Sequence, residues 1–183
     1  PFSLSWCAEV PDEEKVALLF QANAAEIGVN VEIFKKPFGS MIDDAQTVET
    51  TPNGSIVYVA AHYNEAGSML ETRYHSKSQG TWEQCEWLGN PEIDKAIEDA
   101  LATVDWDERF KKYAEIQEMI VELAPTLWLA DQAQEFGYQE AYVAWPIPEW
   151  VKTGEPLSVV MGYSFYVHDM KVYPEKRAEL LGK

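Results

Sequence analysis

Hydrophobic and polar positions change their spacing twice in the first 34 residues. Residues 2–7 form a short aromatic and aliphatic run, which is typical of a strand. Acidic residues followed by apolar residues at helical spacing predict a helix over 12–27, with Gly28 as its C-terminal stop. Apolar and polar residues then alternate over 29–34, which predicts a second strand. This order of strand, helix and strand is typical of an α/β unit.

The middle of the chain continues the pattern with shorter elements. A turn is followed by residues 41–48, which can form a short helix, and an apolar run over 55–61 predicts a buried strand. Residues 68–75 have helical spacing, and residues 76–89 are expected to form a loop.

Two consecutive helices are the best-defined prediction. Asn90 is an N-cap followed by proline and predicts a helix over 91–103, and Asp105 begins a second helix over 106–124. A strand is expected at 127–131, with Trp128 in the core. The inner stripe of the second helix is expected to contain Trp106, Phe110, Tyr113, Ala114, Gln117, Ile120, Val121 and Ala124.

Together these elements predict an α/β fold in which helices flank a mixed sheet. The chain has 183 residues, 46% of them hydrophobic, which suits one globular domain or one domain with an appendage. Its tail, from 145 onward, is rich in proline and aromatic residues, with short strands expected at 159–160 and 164–167. A formal charge of −17 disfavours nucleic acids and anionic membrane surfaces as partners.

The sequence contains little that indicates catalysis. Its three histidines form no metal-binding motif, and Cys7 and Cys85 lie too far apart in sequence for a zinc or redox signature. Neither a nucleophile elbow nor a glycine-rich phosphate loop is present. We therefore expect no catalytic residue, metal or cofactor. A carbohydrate-active enzyme stays open as an alternative, because 31 acidic residues offer many carboxylate pairs.

Neither a secretory leader nor a membrane-spanning run is recognisable. Residues 1–6 lack a basic start and a long apolar stretch, and no apolar run approaches the roughly 18 residues of a membrane span. The sequence also lacks an initiator methionine. It is therefore expected to be a mature product or a piece of a longer protein.

The order of motifs resembles the C-terminal lobe of the family 5 extracellular solute-binding proteins, over about residues 2–145. These proteins are the peptide-, nickel- and oligosaccharide-binding components of ABC importers. The similar passages are Phe20–Glu32, Ala61–Ala66 followed by Tyr74–Ser76, Asn90–Asp94 with Asp105, Arg109, Tyr113 and Gln117, and Leu123–Leu127.

The resemblance implies one lobe of a two-lobed, type II periplasmic-binding-protein-like fold. Residues 1–145 would form the ligand-binding lobe, and residues 146–183 a tail that returns toward a first lobe. It also implies a monomeric, extracellular or periplasmic lipoprotein that delivers a small peptide or oligosaccharide to the membrane permease of an ABC importer. A second reading is a ligand-sensing domain of a regulator built on the same lobe.

The resemblance also implies where a ligand would bind. The loop after the 55–61 strand matches the ligand loop of the family, although His62 stands where peptide-binding members have an aspartate for the ligand's amino group. Trp82 and Trp87 are aromatic candidates for stacking on a ligand. The candidate ligand-binding residues are His62, Tyr63, Asn64, Glu65, Trp82, Trp87 and Gln132.

Overall fold

A computed structural model describes residues 1–63, 65–131, 137–153 and 169–182. Its elements, in chain order, are β1 (Phe2–Cys7), α1 (Asp12–Glu26), β2 (Val31–Lys36), α2 (Phe38–Asp44), β3 (Gly54–Ile56), α3 (Ala66–Tyr74), a short 3₁₀ helix (Ser76–Ser78), α4 (Pro91–Leu101), α5 (Trp106–Leu123), β4 (Val143–Ala144), α6 (Ile147–Thr153), β5 (Lys171–Val172) and α7 (Pro174–Leu180).

The chain divides into two compact units. Unit 1 contains residues Pro1–Val59 and Glu65–Leu127, and unit 2 contains Ala60–Asn64 and Trp128–Lys183. The predicted division into a lobe over 1–145 and a tail over 146–183 concerns the whole protein and stays a prediction.

The first layer of unit 1 is a three-stranded parallel sheet in the order β2-β1-β3. Strand β1 pairs along its whole length with β2, from Phe2 opposite Val31 to Cys7 opposite Lys36. One buried cluster lies between this sheet and α1; we call it the sheet cluster. It consists of Leu4, Trp6, Ala17, Ala24 and Val31.

Helix α1 ends in a motif that explains why β2 begins at Val31 and not at 29, as predicted. Gly28 has a φ of +82°, a conformation that glycine adopts at no steric cost. Its N–H donates to the carbonyl of Ala25, and the N–H of Val29 donates to the carbonyl of Ala24. Residues 28 and 29 therefore complete the helix end, and pairing with β1 starts only beyond them.

The second layer of unit 1 consists of α3, α4 and α5, which enclose the second buried cluster. We call it the helical cluster; it consists of Leu70, Tyr74, Ile93, Ile97, Ala100, Tyr113, Ile116 and Ile120. Asn90 caps α4 by accepting hydrogen bonds from the N–H groups of Glu92 and Ile93, and Asp105 caps α5. The predicted pair of helices is confirmed: both begin at the predicted residue, and they end two residues and one residue early.

Two further predicted strands differ from the structure. Strand β3 stops at Ile56 and does not extend to 61, because its partner β1 ends one residue beyond Trp6, which lies opposite Ile56. Residues 127–131, expected to be a strand, form no ladder. Trp128, expected in the core, is 54% exposed.

The inner stripe expected on α5 is correct for only part of its residues. Tyr113 and Ile120 are buried, whereas Trp106 and Phe110 are each more than half exposed. Trp106 stacks on Phe110 at 5.8 Å between ring centroids, and the Arg109 guanidinium lies over the Trp106 ring. The exposed remainder of the predicted stripe is Ala114, Gln117, Val121 and Ala124.

Unit 2 has a small sheet of its own. Strands β4 and β5 are antiparallel, with Val143 opposite Val172, and the N–H of Tyr173 donates to the carbonyl of Tyr142 at 2.9 Å. The strands expected at 159–160 and 164–167 lie outside the described residues. Among the described residues, the structure has no helix with the length and apolarity needed to cross a membrane. The α/β fold class is confirmed; the strands of unit 1 are all parallel.

Candidate functional site

The candidate ligand loop follows the carboxyl end of β3. In open parallel sheets, ligands bind beyond the carboxyl ends of the strands, where consecutive connections leave in opposite directions. Here the chain passes from β1 to β2 on one side, and then crosses β1 to reach β3 on the other. Residues 57–59 follow β3 at that edge. The chain therefore leaves β3 at the strand end that the topology favours for binding.

The loop itself belongs to unit 2 up to residue 64, and the chain re-enters unit 1 at Glu65. His62 and Tyr63 are both exposed, and 46% of Tyr63 is accessible to solvent. Asn64 lies outside the described residues. An imidazole and a phenol that reach solvent offer hydrogen-bond donors, acceptors and a flat aromatic face.

Glu65 is built into the packing of unit 1. Only 8% of its side chain is exposed, its Oε1 accepts a hydrogen bond from the Tyr113 hydroxyl, and Arg109 Nη1 lies 3.7 Å from the same oxygen. A ligand that used this carboxylate would compete with both partners. The prediction that Glu65 contacts a ligand stays a prediction, and the structure assigns its carboxylate to contacts within unit 1.

Glu65 is the N-cap residue of helix α3. Glu65 has extended dihedral angles, and its carbonyl accepts hydrogen bonds from both the N–H and the hydroxyl of Ser68. Gly67 is buried against α5, and a Cβ at this position would lie 2.6 Å from Glu65 Oε2 and nearer still to the Tyr113 hydroxyl. Glycine is therefore required for the carboxylate and the phenol to meet.

The two candidate tryptophans have packing partners in unit 1. Trp82 is partly buried and packs edge-on against Phe38, with 5.2 Å between ring centroids. It also lines a small cavity under α2 whose volume of about 10 Å³ would hold one water. Trp87 donates its indole N–H to the Thr51 hydroxyl at 2.9 Å. These contacts account for both side chains without a ligand, so their stacking role stays a prediction.

Gln132, the remaining candidate, lies outside the described residues. The structure therefore distributes the described candidates over three surroundings. His62 and Tyr63 lie in the loop, Glu65 lies in the helical layer, and Trp82 and Trp87 lie in the segment that packs near α2.

Polar groups at the carboxyl end of β1 were not identified from the sequence. The Cys7 N–H donates to Glu13 at 2.7 Å, and the Cys7 thiol donates to Glu9 at 3.1 Å. Burial raises the pKa of the Glu13 carboxyl and of the Cys7 thiol, whereas the hydrogen bond from the thiol lowers the pKa of Glu9. A thiol with a raised pKa stays protonated at neutral pH, so Cys7 is a poor nucleophile.

A buried ion pair was also missed. Arg73 on α3 is 5% exposed, and its Nη2 lies 2.6 Å from Glu86, which also accepts a hydrogen bond from Thr126. The pKa of the neighbouring Cys85 thiol is raised, mainly by burial. Both cysteines are free thiols. The sequence offered one signal for this pair: Arg73 falls on the inner face of a predicted helix, where a buried arginine needs an acidic partner.

The described residues contain no group of three or more histidine, cysteine or acidic side chains that could hold a metal ion. The described site candidates offer hydrogen-bonding groups and aromatic rings.

By sequence, the chain matches no protein-family model and no curated protein. By structure, it is similar to several solved proteins. The dipeptide-binding protein of Pseudoalteromonas sp. SM9913, solved with Met-Leu, has a TM-score of 0.60 at 25% identity, over 68% of this chain and 25% of that one. The periplasmic binding protein DppA of Helicobacter pylori, solved with peptide STSA, has a TM-score of 0.58 at 21% identity, over 67% and 23%.

The murein tripeptide-binding protein MppA of Escherichia coli also shares the fold, with a TM-score of 0.60 at 18% identity over 68% of this chain and 23% of that one. The chain thus spans about a quarter of the length of these binding proteins. The resemblance to the family 5 solute-binding proteins that the sequence indicates is confirmed at the level of the fold: this chain folds like part of a peptide-binding protein of that family.

Proposed function

We propose that this chain is part of a solute-binding protein of an ABC importer, and that its ligand is a small peptide. The observation that carries the proposal is the shared α/β fold over about two thirds of the chain. The similar structures bind a dipeptide, the peptide STSA and a murein tripeptide. All three ligands present peptide groups that a loop with hydrogen-bonding side chains can recognise.

The proposed ligand contacts are His62, Tyr63 and Asn64, in the loop that follows β3 in the chain. The exposure of His62 and Tyr63 to solvent supports this role. The imidazole can donate to a peptide carboxylate or carbonyl, and the Tyr63 ring can pack on an apolar side chain. Trp82, Trp87 and Gln132 are secondary candidates.

The proposed mechanism is closure of two lobes on the ligand, with no chemical change to it. In this proposal residues 1–145 are the C-terminal lobe, residues 146–183 return toward the first lobe, and the whole protein is a periplasmic or extracellular, membrane-anchored monomer that serves a permease. A lone lobe supplies half of the cleft. A single lobe therefore makes only part of the ligand contacts that offset the entropy lost on binding, and its affinity for the ligand is expected to be low.

Titration calorimetry of the 183-residue chain tests the proposal. The panel is Met-Leu, the peptide STSA, an oligosaccharide of glucose and the nickel–histidine complex. We expect the two peptides to bind with dissociation constants no tighter than millimolar, and the other two ligands to bind more weakly still. Preference for the oligosaccharide would overturn the peptide assignment, and micromolar binding of any ligand would show that the half-cleft argument is wrong.

A further inference from the structure

We propose that Glu65 is a positioning residue that fixes one end of the ligand loop, and that it makes no contact with the ligand. This inference rests on the proposed function for its consequence in binding, but its structural part stands on contacts within unit 1. It changes the role that the sequence suggested for Glu65. We call Glu65, Tyr113 and Arg109 the Glu65 network.

The partners of Glu65 are themselves fixed. Tyr113 is 1% exposed and belongs to the helical cluster. Arg109 donates from Nε to the carbonyl of Thr103 and from Nη2 to the carbonyl of Leu101, both at 2.7 Å. The guanidinium is therefore held at the end of α4 while its Nη1 faces Glu65. Both groups that hold the carboxylate lie on the same helix, α5.

The position of Glu65 in the chain makes this network relevant to the loop. Residue 64 is the last of the five-residue loop, and Glu65 is the first residue back in unit 1. A loop whose end is fixed before binding has fewer conformations to lose when a ligand orders it. The network therefore lowers the entropic cost of presenting His62 and Tyr63.

Gly67 gives independent support for the network. A methyl group at this position would lie 2.6 Å from both Glu65 Oε2 and Leu101, and closer to the Tyr113 hydroxyl. Alanine is the better helix former by about 1 kcal/mol. Glycine in the first turn of α3 is therefore unfavourable for the helix. Its presence is explained by the space that the Glu65 carboxylate and the Tyr113 hydroxyl occupy.

The experiment compares four variants of the 183-residue chain: Glu65→Ala, Glu65→Gln, Gly67→Ala and the control Glu71→Gln. Glu71 is on the same helix, and its carboxylate oxygen lies 2.5 Å from Lys77 Nζ. This pair is not part of the Glu65 network. Amide hydrogen exchange of residues 61–64 and of α4 is measured for each variant, together with the affinity for Met-Leu by NMR titration.

We expect Glu65→Ala and Gly67→Ala to speed exchange in residues 61–64 by about tenfold while exchange in α4 is unchanged. Glu65→Gln keeps an acceptor for the Tyr113 hydroxyl, so it should restore most of the protection, and Glu71→Gln should match the wild type. The affinity for Met-Leu should fall by roughly three- to tenfold in the first two variants, because the loop must then be ordered by the ligand.

Two outcomes overturn the proposal. The first is wild-type exchange in residues 61–64 of Glu65→Ala, which would show that the network does not fix the loop. The second is equal acceleration across α4 and the loop, which would show a purely structural role. If wild-type chain binds no peptide, the proposed function fails, but the exchange data still decide whether Glu65 positions the loop.

Discussion

The two buried clusters of unit 1 are built in different ways. The helical cluster contains four large residues that are at most 1% exposed, and both of its long helices, α4 and α5, have side-chain N-caps. The sheet cluster relies on Trp6 and on small alanines of α1, a helix that has no side-chain cap and leaves Leu18 and Leu19 exposed. Local sequence signals therefore specify the helical layer, whereas pairing between strands specifies the sheet layer.

This difference has a consequence for stability. Local contacts stabilise helices that have caps and a continuous buried face. Such contacts form early in folding, and they are among the last to open in local unfolding. Strand β1 must instead be paired on both sides by β2 and β3, which its own sequence does not guarantee. We expect the sheet layer to be the less protected part of unit 1, and the following predictions test that difference.

The largest expected effect is at Trp6 in the sheet cluster. Trp6→Ala removes a side chain that is 2% exposed, and should lower the free energy of unfolding by about 3–5 kcal/mol in urea denaturation. Trp106→Ala is the matched control, because 56% of Trp106 is exposed, and it should change that free energy by less than about 1 kcal/mol. Similar losses in the two variants would contradict the assignment of Trp106 to the surface.

Ile97 tests the helical cluster in the same way. Ile97→Ala leaves a cavity at a position that is 0% exposed, and should cost about 2–5 kcal/mol in the free energy of unfolding. The control Val104→Ala, in the link between α4 and α5, should cost less than about 0.5 kcal/mol because the side chain is exposed. A loss in Ile97→Ala no larger than in the control would contradict the helical cluster as described.

The cap of α4 should have a smaller effect. Asn90→Ala removes the acceptor for the N–H groups of Glu92 and Ile93, and should destabilise the chain by about 1 kcal/mol. Asn90→Ser keeps a side-chain oxygen and should lose only a fraction of that. Thermal unfolding monitored by circular dichroism measures both variants. Equal losses for alanine and serine would show that the cap oxygen contributes nothing.

The smallest expected effect is the pH dependence from Glu13. Burial raises the pKa of its carboxyl in the folded chain, so the folded state binds a proton that the unfolded state has already released. Stability therefore falls as pH rises from the ordinary glutamate range through the raised pKa. Urea unfolding between pH 4 and pH 7 should show that Glu13→Gln reduces this fall. A steeper fall in the variant would contradict the direction of the shift.

The sequence predicted the elements whose signals are local. The cap at Asn90, the proline after it and the periodicity of residues 91–124 together determine two helices, and the glycine at 28 determines the end of α1. Strand β3 was predicted too long and the strand at 127–131 was wrong, because the extent of a strand depends on its partner. Apolar runs without a partner do not form ladders.

The candidate site was predictable only in outline. The loop after β3 and its two exposed side chains, His62 and Tyr63, follow from the order of elements. The partners of Glu65 did not follow, because Tyr113 and Arg109 lie more than 40 residues further along the chain. The Arg73–Glu86 pair joins α3 to an irregular segment 13 residues later, for which the sequence gives no register. On α5, the helical period alone could not tell which half of a wide apolar stripe packs inward.

The most direct test of the central claim is a residue-resolved NMR titration of the ¹⁵N-labelled chain with Met-Leu, repeated with the His62→Ala variant. We predict that amide shifts concentrate in residues 61–64 with millimolar affinity, and that His62→Ala weakens binding by about 0.5–1.5 kcal/mol for a neutral hydrogen bond or 1.5–3 kcal/mol for a charged one. Binding that is equally tight in both chains, or peptide shifts that fall outside this loop, would contradict the account of the site.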